Sequence, residues 1–389
     1  LHKPQYLGIL KPNKPFTFME EKSPGIKSKR LASLDALRGF DMFWIMGGES
    51  LFIALGAATG WPVLVWWAEQ MEHVPWHGFH FYDMIFPLFL FISGISFPYS
   101  LAKRGDNKHG IYRHVIRRGL ILVLLGIVYN NAIRFDFANM RYASVLGRIG
   151  LAWMFAALIY INTGFKFRAF WTVFLLLLYW GLLAFFPAPD LGSSDPYSME
   201  GSLTGYIDRL LCPGKLYLGI LDPEGILGTV PAISTALLGM LTGSFVRSES
   251  FVKKTNQKVI FMIVAGVTLL IIGKIWDSVF PINKNLWSSS FVCWTAGISL
   301  LLFAVFYFII DVMEYKKWAF PLVVIGMNSI TIYLAQRVFY LGYTSDFLFG
   351  GFAALFNQTW QPVIIHLSYA LTCWLLLYWL YKKKIFLKI

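Results

Sequence analysis

Three histidines and an aspartate fall within residues 73–87, HVPWHGFHFYDMIFP, immediately before an apolar run. Histidine ordinarily exchanges a proton near neutral pH. A histidine near a carboxylate therefore offers general acid–base or nucleophilic chemistry. Other costly polar residues lie in otherwise apolar stretches: Glu49, Arg148, Lys274, Asp277, Asn285, Asn328, Gln336 and His366. A charge inside a membrane span costs at least a few kcal/mol, so such residues usually face a cavity and pair with one another. Arg141, Ser144 and Arg148 are spaced i, i+3, i+7. If one helix carries them they share a face, and that face could hold an anion. Lys274 and Asp277, three apart, read as a local ion pair.

The elements that must position these groups are membrane helices. Of the 389 residues, 57% are hydrophobic and 14% charged, against roughly 25% charged in soluble domains. About ten apolar runs have the length of a span: 39–59, 83–102, 116–133, 143–161, 169–187, 225–246, 258–276, 287–310, 319–337 and 362–381. The expected fold is therefore all-α and polytopic. With the N-terminus inside, cytoplasmic segments hold 26 of the 34 basic residues, which places both termini in the cytoplasm. The excess of Lys and Arg thus reads as topology, and a nucleic-acid partner is not expected. Cys212, Cys293 and Cys373 are too few and too scattered for a disulfide framework or a zinc site, and no metal site or glycine-rich phosphate loop is evident.

Residues 1–30 are polar and lysine-rich, with Pro4, Pro12, Pro15 and Pro24. They read as a disordered or cloning-derived tail, Met19 opening a plausible natural start, and residues 31–389 as one transmembrane domain. Two outward segments are long. Residues 60–82 contain no Lys or Arg, and PVLVWWAEQM within them reads as an interfacial helix with tryptophans at headgroup depth. Residues 188–224 form the largest excursion, either a cap over substrate or a solvated loop. Gly239 and Gly243 form a GxxxG pattern that reports close helix packing. The costly polar residues collect towards the outward side. That suits a reaction centre at an outer mouth, whereas transporters often show broken helices in matched halves.

Four blocks then carry a family resemblance: RLASLDALRGFDM at 30–42, HVPWHGFHFYDMIFPLFLFISG at 73–94, RYASVLGRIGLAW at 141–153 and DPEGILGTVPAISTALLG at 222–239. NKNLWSSSFV at 283–292 and IGMNSITIYL at 325–334 add two more. With these the chain resembles the heparan-alpha-glucosaminide N-acetyltransferase family, from its first span to its ninth. The resemblance implies transfer of an acetyl group from cytoplasmic acetyl-CoA to the amine of a glucosamine-type sugar across the membrane. It places the catalytic histidine in an H-x-x-W-x-G motif, here His73-Val-Pro-Trp76-His77-Gly78. His73 is therefore the expected catalytic residue and Trp76 a substrate contact, while His77 and His80 read as interfacial polar residues. Glu49 stands where the animal enzymes have an asparagine. A carboxylate there favours a cationic amine or acts as a second base. Animal members carry a further N-terminal span and a lumenal domain that this sequence lacks, so the resemblance implies a bacterial relative in the inner membrane.

On this reading His73 either takes the proton of the attacking amine or carries the acetyl group as an acyl-imidazole. Direct transfer is preferred because it stores no reactive intermediate beside water. Asp83 either orients His73 or simply complements a helix N-terminus. Asn285, Asn328 or Arg148 could donate to the developing oxyanion. Arg38, Arg117 and Arg118 could steer the coenzyme A phosphates, although positive-inside bias alone would put them there. Arg141 and Arg148 match family positions and are the stronger expectations for the coenzyme or an acidic acceptor. The partners expected are an amino-sugar or oligosaccharide acceptor and the lipid bilayer, with homodimerisation left open. Two other readings remain: an O-acetyltransferase of a cell-envelope polysaccharide, and an exporter of glycan or acyl donor without catalysis.

Overall fold

The computed structural model describes residues 31–105, 107–131, 139–248 and 255–387. The expected tail, residues 1–30, lies outside them. In chain order the helices are α1 (Ala32–Phe43), α2 (Glu49–Thr59), α3 (Pro62–Gln70), α4 (Ile85–Ala102), α5 (Lys108–Asn130), α6 (Val145–Asn162), α7 (Phe165–Phe185) and α8 (Leu203–Leu211). They continue with α9 (Thr229–Arg247), α10 (Thr255–Asp277), α11 (Ser289–Tyr307), α12 (Phe320–Met327), α13 (Ser329–Val338), α14 (Leu341–Ala353) and α15 (Gln361–Lys382). The fold is all-α and polytopic. Among the described residues eight stretches are long and apolar enough to cross a membrane, α1 and α2 together forming the first.

Each of the ten expected spans falls on helix where it is described, but three are irregular, the first of them, 39–59, through a break taken up below. The expected 319–337 span is the pair α12 and α13, bent by 58°. The expected 116–133 span is α5, whose first half carries Lys108, Arg113, Arg117 and Arg118, so only its second half is apolar. The outward faces of α7 and α10 show why the chain needs lipid: Phe170, Phe174, Phe261 and Val264 stand exposed along them. Such faces are stable in hydrocarbon and a liability in water. The protein is integral to a membrane.

Tight helix contacts follow the glycines. Gly39 of α1 lies on the Leu322 carbonyl of α12, and Gly326 of α12 lies on the Asp35 carbonyl of α1. Gly239 and Gly243 of α9 lie on the Phe91 and Ile95 carbonyls of α4. In each case a methyl group would meet backbone, so this close an approach requires glycine at these positions.

Two breaks interrupt the spans. Between α1 and α2 the chain leaves helical geometry at Met46 and Gly47, and Gly47 has φ 116°, a region that glycine enters without a steric penalty. Gln336 Nε2 donates to the Ile45 carbonyl at this break at 3.3 Å and to the Tyr369 hydroxyl at 3.0 Å. A polar side chain thus takes up a backbone group that the broken helix leaves unpaired. The second break is at Asn328, whose Nδ2 donates to the Ile385 carbonyl at 3.0 Å and whose Oδ1 accepts from the Leu387 amide at 3.3 Å. Asn328 therefore fastens the bend to the chain beyond α15.

Candidate functional site

A cavity of about 570 Å³ opens at the end of the bundle that carries residues 71–83. Its deep wall is apolar, with Met42, Ile45, Phe86, Phe89 and Ile149 among its residues. Its mouth is polar, lined by His73, Asp83, Lys284, Asn285, Arg141 and Glu224.

His73 sits on a loop that many contacts shape. Gly78 has φ 115° and donates its amide to the Ile282 carbonyl at 2.9 Å. The Trp76 indole donates to the Tyr197 carbonyl at 2.9 Å. His80 Nδ1 lies 2.9 Å from the Glu72 carbonyl, and His77 Nδ1 lies 3.3 Å from Asn283 Nδ2. His77 and His80 thus hold the loop's shape, and only His73 among the three lines the cavity. Its side chain is half exposed, and its ring lies 5.0 Å from that of Tyr82.

Asp83 is 1% exposed and sits where the loop turns into the second span. Its Oδ2 accepts the His80 amide at 3.0 Å, and its Oδ1 lies 2.7 Å from His73 Nδ1. One carboxylate is therefore placed for both roles that the sequence left open. It caps the helical turn at Phe81–Met84 and orients the imidazole. With Nδ1–H donated to Asp83, the tautomer is set and Nε2 carries the lone pair.

Lys284 completes the mouth, and the sequence reading did not single it out. Its Nζ lies 2.8 Å from His73 Nε2, 3.0 Å from His73 Nδ1 and 3.6 Å from Asp83 Oδ1. Burial pushes the ammonium below its ordinary range, while Asp83 and Glu224 pull it back up. The loop that presents Lys284 is internally bonded. The Asn283 amide donates to Ser288 Oγ at 3.0 Å, and the Leu286 amide donates to Asn283 Oδ1 at 2.9 Å. Trp287 follows at φ 55° with its side chain buried against Phe86 and Phe291. That anchoring offsets a backbone conformation unfavourable to a bulky residue.

The arginines are arranged differently from the sequence expectation. Helix α6 begins at Val145, because Ser144 caps it by accepting the Gly147 amide at 3.0 Å. Arg141 precedes the helix, in an isolated bridge with Gly214, so Arg141, Ser144 and Arg148 do not form one helix face. Arg141 lines the cavity with its guanidinium already engaged. Nε and Nη2 donate to the two Asp222 carboxylate oxygens at 2.7 and 2.6 Å, and Nη2 also donates to Glu224. Burial works to raise the Asp222 carboxyl, but the hydrogen bonds and charge of Arg141 outweigh it and hold the group below the usual carboxylate range. Arg148 is 1% exposed, donates to the Gly225 carbonyl at 2.9 Å and lies over the Trp287 ring. Among the described residues its Nε and Nη1 have no hydrogen-bond partner, and it does not line the cavity.

The remaining expected residues lie off the cavity, Asn285 excepted. Arg38 donates to Ser96 Oγ at 3.0 Å and lies beside Asp35. Arg117 is exposed on α5, and Arg118 lies over Trp153 at 4.4 Å. Glu49 interacts with the Tyr82 hydroxyl, and Tyr82 in turn lines the cavity, so Glu49 stands one residue behind the wall. Asn285 lines the cavity; Asn328 and Trp76 do not. The 188–224 excursion, for its part, supplies Tyr217, Leu218, Pro223 and Glu224 to the wall. Lys274 and Asp277 pair at 2.9 Å. Signals for the missed residues were present: Lys284 adjoins Asn285, Tyr82 adjoins Asp83, and Glu224 lies in the DPEG block.

Fold and site together define an integral membrane protein with a carboxylate-oriented histidine and a lysine at the mouth of a cavity between its spans. No protein-family model matches the chain. Over 419 aligned positions it is 26% identical to the heparan-alpha-glucosaminide N-acetyltransferase of Homo sapiens, covering 92% of this chain and 60% of the relative. With the protein of the same name from Mus musculus it shares 26% over 421 positions, covering 93% and 61%. The chain is a distant relative of the heparan-alpha-glucosaminide N-acetyltransferases. It spans about three-fifths of the length of the curated relatives it matches.

Proposed function

We propose that the protein is a membrane acetyltransferase that moves an acetyl group from acetyl-CoA to the amine of a glucosamine-type sugar, with His73 as general base. The observation that carries this reading is the Asp83–His73 pair at 2.7 Å, on a histidine that lines a cavity between spans. The names of the two relatives supply the reaction class. The polar mouth suits a sugar, and the apolar wall suits the acetyl end of the donor.

His73 Nε2 takes the proton of the amine as the amine attacks the thioester carbonyl. The carbon–sulfur bond breaks, the imidazolium passes that proton to the departing sulfur, and the coenzyme leaves as its thiol. A positioned base of this kind contributes about 10²–10⁴-fold. Asp83 stabilises the imidazolium as it forms, and Asn285 at the mouth is the donor placed for the developing oxyanion. Arg141 spends Nε and Nη2 on Asp222 and Glu224, whose carboxylates also offset its charge towards phosphate; its role is to build the wall. By the distribution of basic residues, the reading places both termini in the cytoplasm and the His73 mouth on the other side of a bacterial inner membrane.

The test supplies purified protein with labelled acetyl-CoA and glucosamine, and measures acetylated sugar for wild type and His73→Ala. Product from wild type and its loss in His73→Ala is the expected result. No product with any amine or hydroxyl sugar overturns the enzyme reading. The two broken spans favour a second reading as an exporter. That reading predicts movement of glycan across sealed vesicles without acetylation.

A further inference from the structure

We propose that Lys284 is itself an acetylation site, taking the acetyl group onto Nζ when no acceptor amine is present. This inference rests on the acetyltransferase reading. It is carried by the closeness of an amine to a base: Lys284 Nζ lies 2.8 Å from His73 Nε2 over the face of the ring, and a turn of the lysine side chain brings it into line with the in-plane Nε2 lone pair, where a general base removes a proton. The same Nζ is 3.0 Å from Nδ1, so it sits close against the ring. The side chain is only 16% exposed and lines the same cavity as His73. Any thioester that reaches His73 therefore also meets Lys284. The internally bonded turn at residues 283–288 and the buried Trp287 hold Lys284 there, so the encounter is pre-oriented.

A primary amine is the functional group proposed for the acceptor. Without acceptor, the site already holds one where an acceptor amine must come to be deprotonated by His73. Burial lowers the affinity of Nζ for its proton and increases its nucleophilic fraction. The ammonium first gives one proton to solvent, and the Nζ lone pair then attacks the thioester carbonyl carbon. The nitrogen–carbon bond forms as the carbon–sulfur bond breaks, and His73 passes the second proton from Nζ to the leaving sulfur. The products are Nε-acetyl-lysine and free coenzyme A thiol. An amide does not turn over, so the modification accumulates and removes the cation beside Asp83.

The experiment incubates the full chain in detergent with acetyl-CoA and no acceptor, and measures acetyl occupancy of lysine-containing peptides by mass spectrometry. Lys274, 70% exposed at its side chain, reports acetylation that needs no site. Lys284 should be modified about 10²-fold faster than Lys274, the lower end of a general-base contribution. His73→Ala should bring Lys284 down to the Lys274 rate, and added glucosamine should slow it. Equal rates at the two lysines, or an unchanged Lys284 rate in His73→Ala, overturn the proposal. Glucosamine acetylation is followed in parallel. Sugar product with unmodified Lys284 removes this inference alone, whereas neither product removes the acetyltransferase reading with it.

Discussion

Replacing Asp83 with asparagine separates the two functions of that carboxylate. Its Oδ2 caps the turn through the His80 amide, and its Oδ1 orients His73. An asparagine carbonyl can keep the cap. Its amide group then faces His73 Nδ1 with a donor where an acceptor is required, and the negative charge that stabilises the imidazolium is gone. Hydrogen bonds to charged groups contribute about 1.5–3 kcal/mol. At about 1.36 kcal/mol per tenfold, Asp83→Asn should lower kcat by about 10- to 150-fold. KM for the sugar should change little, because the cavity wall is intact. The loss should not come from unfolding, so the thermal midpoint is measured on the same sample. Asp83→Ala removes the cap as well and should lower the midpoint further. A folded Asp83→Asn protein with kcat within threefold of wild type would refute the orienting role and leave Asp83 as a cap alone.

Three further outcomes follow from the geometry. Gly47→Ala places a Cβ at φ 116°, 3.0 Å from the Tyr369 ring, and should cost about 1–3 kcal/mol, read as a lower thermal midpoint in detergent; an unchanged midpoint would mean the break adapts freely. Asp208 is fully buried, and burial raises its carboxyl to about 6 while the Ile226 and Asp222 amides pull it down. The folded protein therefore holds this proton more tightly than the unfolded chain, so the contribution is complete below about pH 4 and is lost as pH rises to about 6, about 3 kcal/mol in all. Thermal midpoints of wild type and Asp208→Asn across pH 4–7 should diverge by that amount, and parallel curves would count against it. Arg141→Ala strands the fully buried Asp222 carboxylate and should destabilise by about 3–5 kcal/mol. A stable Arg141→Ala protein that has lost only its affinity for coenzyme A would return Arg141 to phosphate binding.

The helical architecture was legible because span length and apolarity are local properties of the chain. His73 was legible too, through a short motif whose members lie on one loop. The helix breaks were not, since φ 116° at Gly47 depends on Gln336 reaching back to the Ile45 carbonyl from 291 residues away. Asn328 misled for a related reason. A polar residue in mid-span suggested a cavity, but its amide is used on the backbone at Ile385 and Leu387.

Arg141 shows most directly what spacing leaves out. Its distance from Ser144 and Arg148 suggested a shared helix face awaiting an anion. The anion is supplied by the chain itself, as Asp222 and Glu224, more than 80 residues away. That capture fixes the 222–225 turn against the start of α6, and Arg148 grips the same turn from behind through the Gly225 carbonyl. The turn in turn sets Glu224 at the mouth, where its charge helps hold the proton on Lys284. On the proposed reading the arginines would therefore bear on the candidate site through the wall they build. Their substitution should be felt first as a loss of stability and only through it as a loss of turnover.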